Sequence, residues 1–103
     1  MIHRHKFNAK ACEREGIKFS SKAERAFYDK LQLQKKCGEV LFFLTQVPFR
    51  LPGGTRYVCD FQVFYSDGTV RFIDVKGVET DSFKIKKREV EAVYPINIEI
   101  EAR

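Results

Sequence analysis

Tyr57-Val58-Cys59-Asp60-Phe61-Gln62-Val63-Phe64-Tyr65-Ser66-Asp67-Gly68-Thr69-Val70-Arg71-Phe72-Ile73-Asp74-Val75-Lys76 decides the fold. Two apolar runs flank Ser66-Asp67-Gly68, which predicts strands over 57–65 and 69–75 joined by a hairpin turn. Residues two apart in a strand share a face. Asp74 and Lys76 therefore lie on one side of a sheet, with Ile73 and Val75 packed on the other. Turn length decides whether Asp60 joins the first pair. A two-residue loop opposes Asp60 to Val75 and separates the two acids. A three-residue loop opposes Tyr65 to Thr69 and Asp60 to Asp74, and opposed residues share a face. Ser-Asp-Gly suits the three-residue type, a type I turn followed by a left-handed glycine bulge. The expectation is Asp60 facing Asp74.

Upstream, residues 1–15 read as a basic N-terminal arm, with a short strand at Ile17–Phe19. Ser20-Ser21 opens a helix in which Ala23, Ala26, Phe27 and Leu31 recur at helical spacing, and Cys37-Gly38 closes it. Val40-Leu41-Phe42-Phe43-Leu44 is a near-continuous apolar run, which suits a strand covered on both faces. Pro48 is expected to limit its pairing, and Leu51-Pro52-Gly53-Gly54 to turn the chain. Downstream, Thr80-Asp81-Ser82 caps a second helix, whose apolar stripe is Phe83, Val90 and Val93. Pro95 stops it. Ile96, Ile98 and Ile100 alternate with polar residues, so a fourth strand follows. The order helix, three strands, helix, strand predicts a single small α/β domain over 16–103.

The chain has 103 residues and a formal charge of +5, enough for one modest core and favourable to a polyanionic partner. No apolar run is long enough to span a bilayer, and no apolar stretch follows the charges at residues 1–6, so no secretory signal is expected. Cys12, Cys37 and Cys59 have neither zinc spacing nor pairing, as expected for reduced thiols in a cytosol. Cys59 reads as a small core residue. His3-x-His5 reads as part of a mobile terminus rather than a metal site.

The candidate chemistry sits on the hairpin. Phosphodiester hydrolysis needs a metal to polarise the phosphate and activate water, a group to handle the proton, and a cation to balance developing charge. Magnesium takes oxygen ligands and keeps several waters, so Asp60 and Asp74 suffice as protein carboxylates, with the Val75 carbonyl as a further ligand. Manganese is the expected substitute. Lys76 would orient the water or stabilise the pentavalent phosphorus. Glu24 is a fourth candidate, an acid aimed at the metal waters. It competes with itself, because Ser21-x-x-Glu24 is also a capping box. Lys84, Lys86, Lys87 and Arg88 form either an ordinary solvated helix face or a phosphate-tracking surface. Gln46 is a further candidate within reach of nucleic acid at the site.

Glu24, Asp60 and Asp74-Val75-Lys76, in this element order, resemble the PD-(D/E)XK nuclease superfamily. That resemblance implies an αβββαβ restriction-endonuclease-like core, with a mixed central sheet flanked by helices. Residues 16–24, Asp74-Val75-Lys76-Gly77-Val78-Glu79-Thr80, 83–87 and Tyr94-Pro95 are similar to a small, uncharacterised phage and prophage family within it. Cys59 stands where the superfamily name has proline. The resemblance implies a magnesium-dependent DNA endonuclease, with Asp60 and Asp74 as metal ligands, Lys76 as catalytic lysine and Glu24 as the helical acid. Phage relatives with this core include Holliday junction resolvases, so branched or recombination-intermediate DNA is the expected substrate. A homodimer could place two sites across one DNA. The expected setting is the cytoplasm of a bacterial host, with no small-molecule cofactor. Two alternatives remain: a catalytically silent nucleic-acid-binding protein, and a host-interaction protein such as a phage inhibitor of a host enzyme.

Overall fold

The computed structural model describes residues 12–14 and 16–102. Most of the expected arm, and His3-x-His5, lie outside them. The order is β1 (Cys12–Arg14), β2 (Ile17–Phe19), α1 (Lys22–Lys36), β3 (Val40–Arg50), a 3-10 turn (Pro52–Gly54), β4 (Arg56–Tyr65), β5 (Val70–Lys76), α2 (Asp81–Val93) and β6 (Ile98–Ala102). β1 and β2 form a small antiparallel pair, and the other strands form one mixed sheet in the order β3-β4-β5-β6. β3 and β5 run antiparallel to β4, and β6 runs parallel to β5. This is a small α/β domain with two helices and a four-stranded mixed sheet, as the sequence pattern predicts. Among the described residues no helix is long and apolar enough to cross a membrane.

The hairpin register is the three-residue one. Phe61 faces Ile73, Gln62 faces Phe72 and Val63 faces Arg71. The Tyr65 N–H donates to the Thr69 carbonyl at 2.9 Å, and Gly68 closes the turn at φ +93°. A side chain at that φ is disfavoured, which is why glycine belongs there. Asp67 fixes the far side of the turn, its Oδ1 accepting from the N–H and hydroxyl of Thr69.

α1 begins where Ser21 Oγ accepts the Glu24 N–H at 3.1 Å, and Lys35 and Lys36 occupy its last turn. Its buried face is Glu24, Phe27, Tyr28 and Leu31. Tyr28 takes the place expected of Ala26, which is exposed. This face packs with Phe19, Val40, Phe61, Val63, Ile73 and Val75. A second cluster under α2 gathers Leu51, Tyr57, Cys59, Val90 and Ile98.

The two clusters divide β4 in an unexpected way. Cys59 and Phe61 are two residues apart, yet Phe61 packs with α1 and Cys59 packs with α2. Phe43 and Val47 on β3 divide the same way. Between them Gln46 adopts φ +54°. The β3–β4 ribbon therefore rolls over at the level of Gln46 and Asp60, and both helices find apolar surface on it.

Three expectations fail here. β3 is an edge strand rather than one covered on both faces, and Leu41, Phe42 and Leu44 are exposed. Their face stays open because α2 covers only part of that side of the sheet. Phe42 stacks on Phe64 instead, with ring centres 4.4 Å apart. Pro48 does not curtail pairing: it faces Val58, and the ladder runs on to Arg50. An edge strand tolerates proline because its nitrogen can face away from the neighbour. Val93 is half exposed rather than part of the stripe of α2.

These environments separate two phenylalanines. Phe61→Ala should lower unfolding free energy by about 3–5 kcal/mol, because it opens a cavity between α1 and the sheet. Phe42→Ala should lose less than half of that. Urea denaturation of both variants checks the ranking, and equal losses would contradict the open face.

Candidate functional site

Asp60 comes from β4 at the point where the ribbon rolls over, and Asp74 from the neighbouring strand β5. The carboxylates brace the two strands against each other. The Asp60 N–H donates to Asp74 Oδ1 at 2.8 Å, and the Val75 N–H donates to Asp60 Oδ2 at 2.9 Å. Regular pairing between these strands ends one residue earlier, at Phe61 and Ile73. Each acid thus takes a backbone donor from the other strand.

Asp74 is 1% exposed, and its Oδ2 has no hydrogen-bond partner. An unpartnered buried carboxylate oxygen is expensive for a fold. Burial raises the Asp74 pKa above the ordinary aspartate value, while the Asp60 N–H and the Lys76 charge pull it down. Asp60 is also raised chiefly by burial, and it is lowered by the Val75 N–H, Lys76, Gln46 and Glu24.

Glu24 reaches the same place from α1 and is 2% exposed. Its Oε1 accepts from the Ser20 hydroxyl at 2.7 Å and its Oε2 from the Gln46 amide at 2.8 Å. Burial raises its pKa; the Ser20 bond lowers it, and the adjacent Asp60 charge raises it again. The two roles expected for this residue coexist. Its N–H serves the Ser21 cap, its Oε1 stays with Ser20 at the helix start, and its Oε2 takes the Gln46 amide.

Lys76 supplies the positive charge that both aspartates feel. Its Nζ lies 4.8 Å from the centre of the Phe83 ring on α2, a cation–π distance that keeps the ammonium near the acids. Three carboxyls thus gather beside one lysine, and burial raises the pKa of each of the three.

Glu24, Gln46, Asp60, Asp74 and Lys76 thus converge, as the sequence order suggests. Val75, whose carbonyl is the expected further ligand, also gives its N–H to Asp60. Ser20 and Phe83 join the site without having been anticipated for it, since one read as a helix opener and the other as core. Lys84, Lys86 and Arg88 are exposed on α2. Lys87 differs, because its Nζ pairs with Glu91 at 3.1 Å. Among the described residues no three His, Cys, Asp or Glu side chains form a ready metal cage. A magnesium ion does not need one, because it fills most positions with water and phosphate oxygens.

The raised acids make a stability prediction. The folded chain binds protons that the unfolded chain releases, so their contribution is complete below the ordinary carboxylate range. It is lost as pH climbs toward the raised native values. The melting temperature of the native sequence, relative to Asp74→Asn, should therefore fall as pH rises from the ordinary aspartate value of 3.8. Calorimetry across that range without divalent metal checks the sign, and a constant difference would contradict it.

No curated protein and no solved structure matches the chain. Residues 4–101 match the family described as Protein of unknown function (DUF1064), and the chain belongs to that family.

Proposed function

We propose that this domain is a divalent-metal-dependent DNA endonuclease of the PD-(D/E)XK type. The observation that carries the reading is Asp74 Oδ2, buried without a partner next to Asp60, which in turn neighbours Glu24. A divalent cation would satisfy that oxygen and favour the ionised form of the neighbouring carboxyls. The all-oxygen donor set suits magnesium, or manganese in its place.

Asp60 and Asp74 would hold the metal, with Glu24 acting directly or through a water. Bound there, a magnesium ion supplies a Lewis acid for the phosphate and an acidified water as nucleophile. Lys76, steadied by Phe83, can stabilise charge that develops on the phosphate oxygens. Glu24 carries a carboxyl whose pKa burial has raised, and such a group can hold or accept a proton closer to neutral pH. The +5 charge and the exposed Lys84, Lys86 and Arg88 suit a DNA backbone. Branched or recombination-intermediate DNA of a phage or its host, met in the cytoplasm by a homodimer, is the substrate setting this reading favours.

The test offers four-way junction, linear duplex and single-stranded DNA, with magnesium, manganese or neither, to the native sequence, Asp74→Ala and Lys76→Met. Metal-dependent strand cleavage is expected, and each variant should lose at least about 10²-fold. Cleavage that survives Asp74→Ala, or its absence with every metal and substrate, would refute the assignment. DNA binding with steep salt dependence and no metal requirement would identify a silent binding protein instead.

A further inference from the structure

The least explained group at the site is Gln46. Among the described residues it is the one non-glycine with positive φ, +54°. L side chains avoid that region, and such outliers concentrate where function over-determines the backbone. Its neighbours pair regularly, Thr45 with Phe61 and Val47 with Cys59. Gln46 thus lies across from Asp60, at the level where the ribbon rolls over. Its amide Nε2 donates to Glu24 Oε2 at 2.8 Å, across 22 positions of sequence.

That span matters because of what else holds Glu24. Ser20 donates to the other oxygen, but it lies only four residues away, just ahead of the same helix. A bond within one segment moves with that segment and cannot fix it against the sheet. The Gln46 amide links the Glu24 carboxylate to β3, in addition to the contact that Glu24 makes with Asp60 on β4. The same amide favours the charged form of Asp60. Although Gln46 is exposed, its amide turns inward to the acids.

We infer that Gln46 is a positioning residue, which clamps the Glu24 carboxylate of α1 against the Asp60–Asp74 pair and so completes the metal-binding constellation. This rests on the proposed metal reading and reassigns Gln46 from the DNA contact expected of it. Partners that orient a metal's carboxylates typically change affinity by about 10–100-fold when removed.

The experiment separates the amide from the backbone. Gln46→Gly removes the amide and relieves the positive φ. Gln46→Met removes the amide and keeps a side chain of similar length. Manganese affinity is measured by calorimetry, with melting temperature recorded alongside. Both variants should bind manganese about 10–100-fold more weakly, and Gln46→Gly should melt no lower than the native sequence. Unchanged affinity in either variant, or a loss of affinity in Gln46→Gly accompanied by a lower melting temperature, would overturn the inference. A native protein that binds no manganese would sink the metal reading by itself. The clamp is then judged by the Gln46 side-chain amide signals in NMR. They should move on Glu24→Ala, and indifference to that change would overturn it.

Discussion

The register of one hairpin governs this structure. Three residues, Ser66, Asp67 and Gly68, separate Tyr65 from Thr69, and the count sets which side chains of β4 and β5 share a face. A slip of one residue would send every side chain of one strand to the other face. Phe61 and Ile73 would no longer meet under α1, and Asp60 would no longer oppose Asp74. The core and the candidate chemistry therefore answer to the same turn. The acids also reinforce that register, because each accepts an N–H from the opposite strand where regular pairing has stopped.

The price of this arrangement is electrostatic. Glu24 and Asp74 are almost wholly buried, Asp60 is partly so, and Lys76 is the cation that both aspartates feel. Burial penalises ionised carboxyls, and hydrogen bonds from Ser20, Gln46 and two backbone amides offset only part of that penalty. The fold gathers three carboxyls that a purely structural core would avoid. Strain and unpaired polarity of this sort concentrate at functional sites, where stability is sacrificed.

Much of this was legible from local pattern. Turn chemistry gave the register, alternation gave the strands, and caps gave both helices. The burial of Glu24 was also readable, since 24, 27, 28 and 31 follow helical spacing and put the acid on the apolar stripe. Other features depend on tertiary context. The apolar run at 40–44 looks the same in an edge strand as in a central one, and only sheet order exposes Phe42 and Leu44. The positive φ of Gln46 has no signal of its own, because glutamine is not a residue that favours it. Nor does the rollover of β3 and β4, which places Cys59 and Phe61 under different helices against the two-residue alternation. Ser20 and Phe83 have ordinary reasons to exist, and only contact reveals their second duty.

The short turn also has an entropic consequence. Asp60 and Asp74 stand fourteen residues apart in one hairpin, so bringing them together requires closing only a small loop. Glu24 is joined to them through its contact with Asp60 and through a bond to Gln46 that spans 22 residues, and both depend on a separate helix docking. The constellation is thus a local pair plus a distant recruit. Fraying at the start of α1 would withdraw the recruit and leave the pair intact. Docking of one helix end, rather than any change in the sheet, thus decides whether Glu24 stands beside the pair.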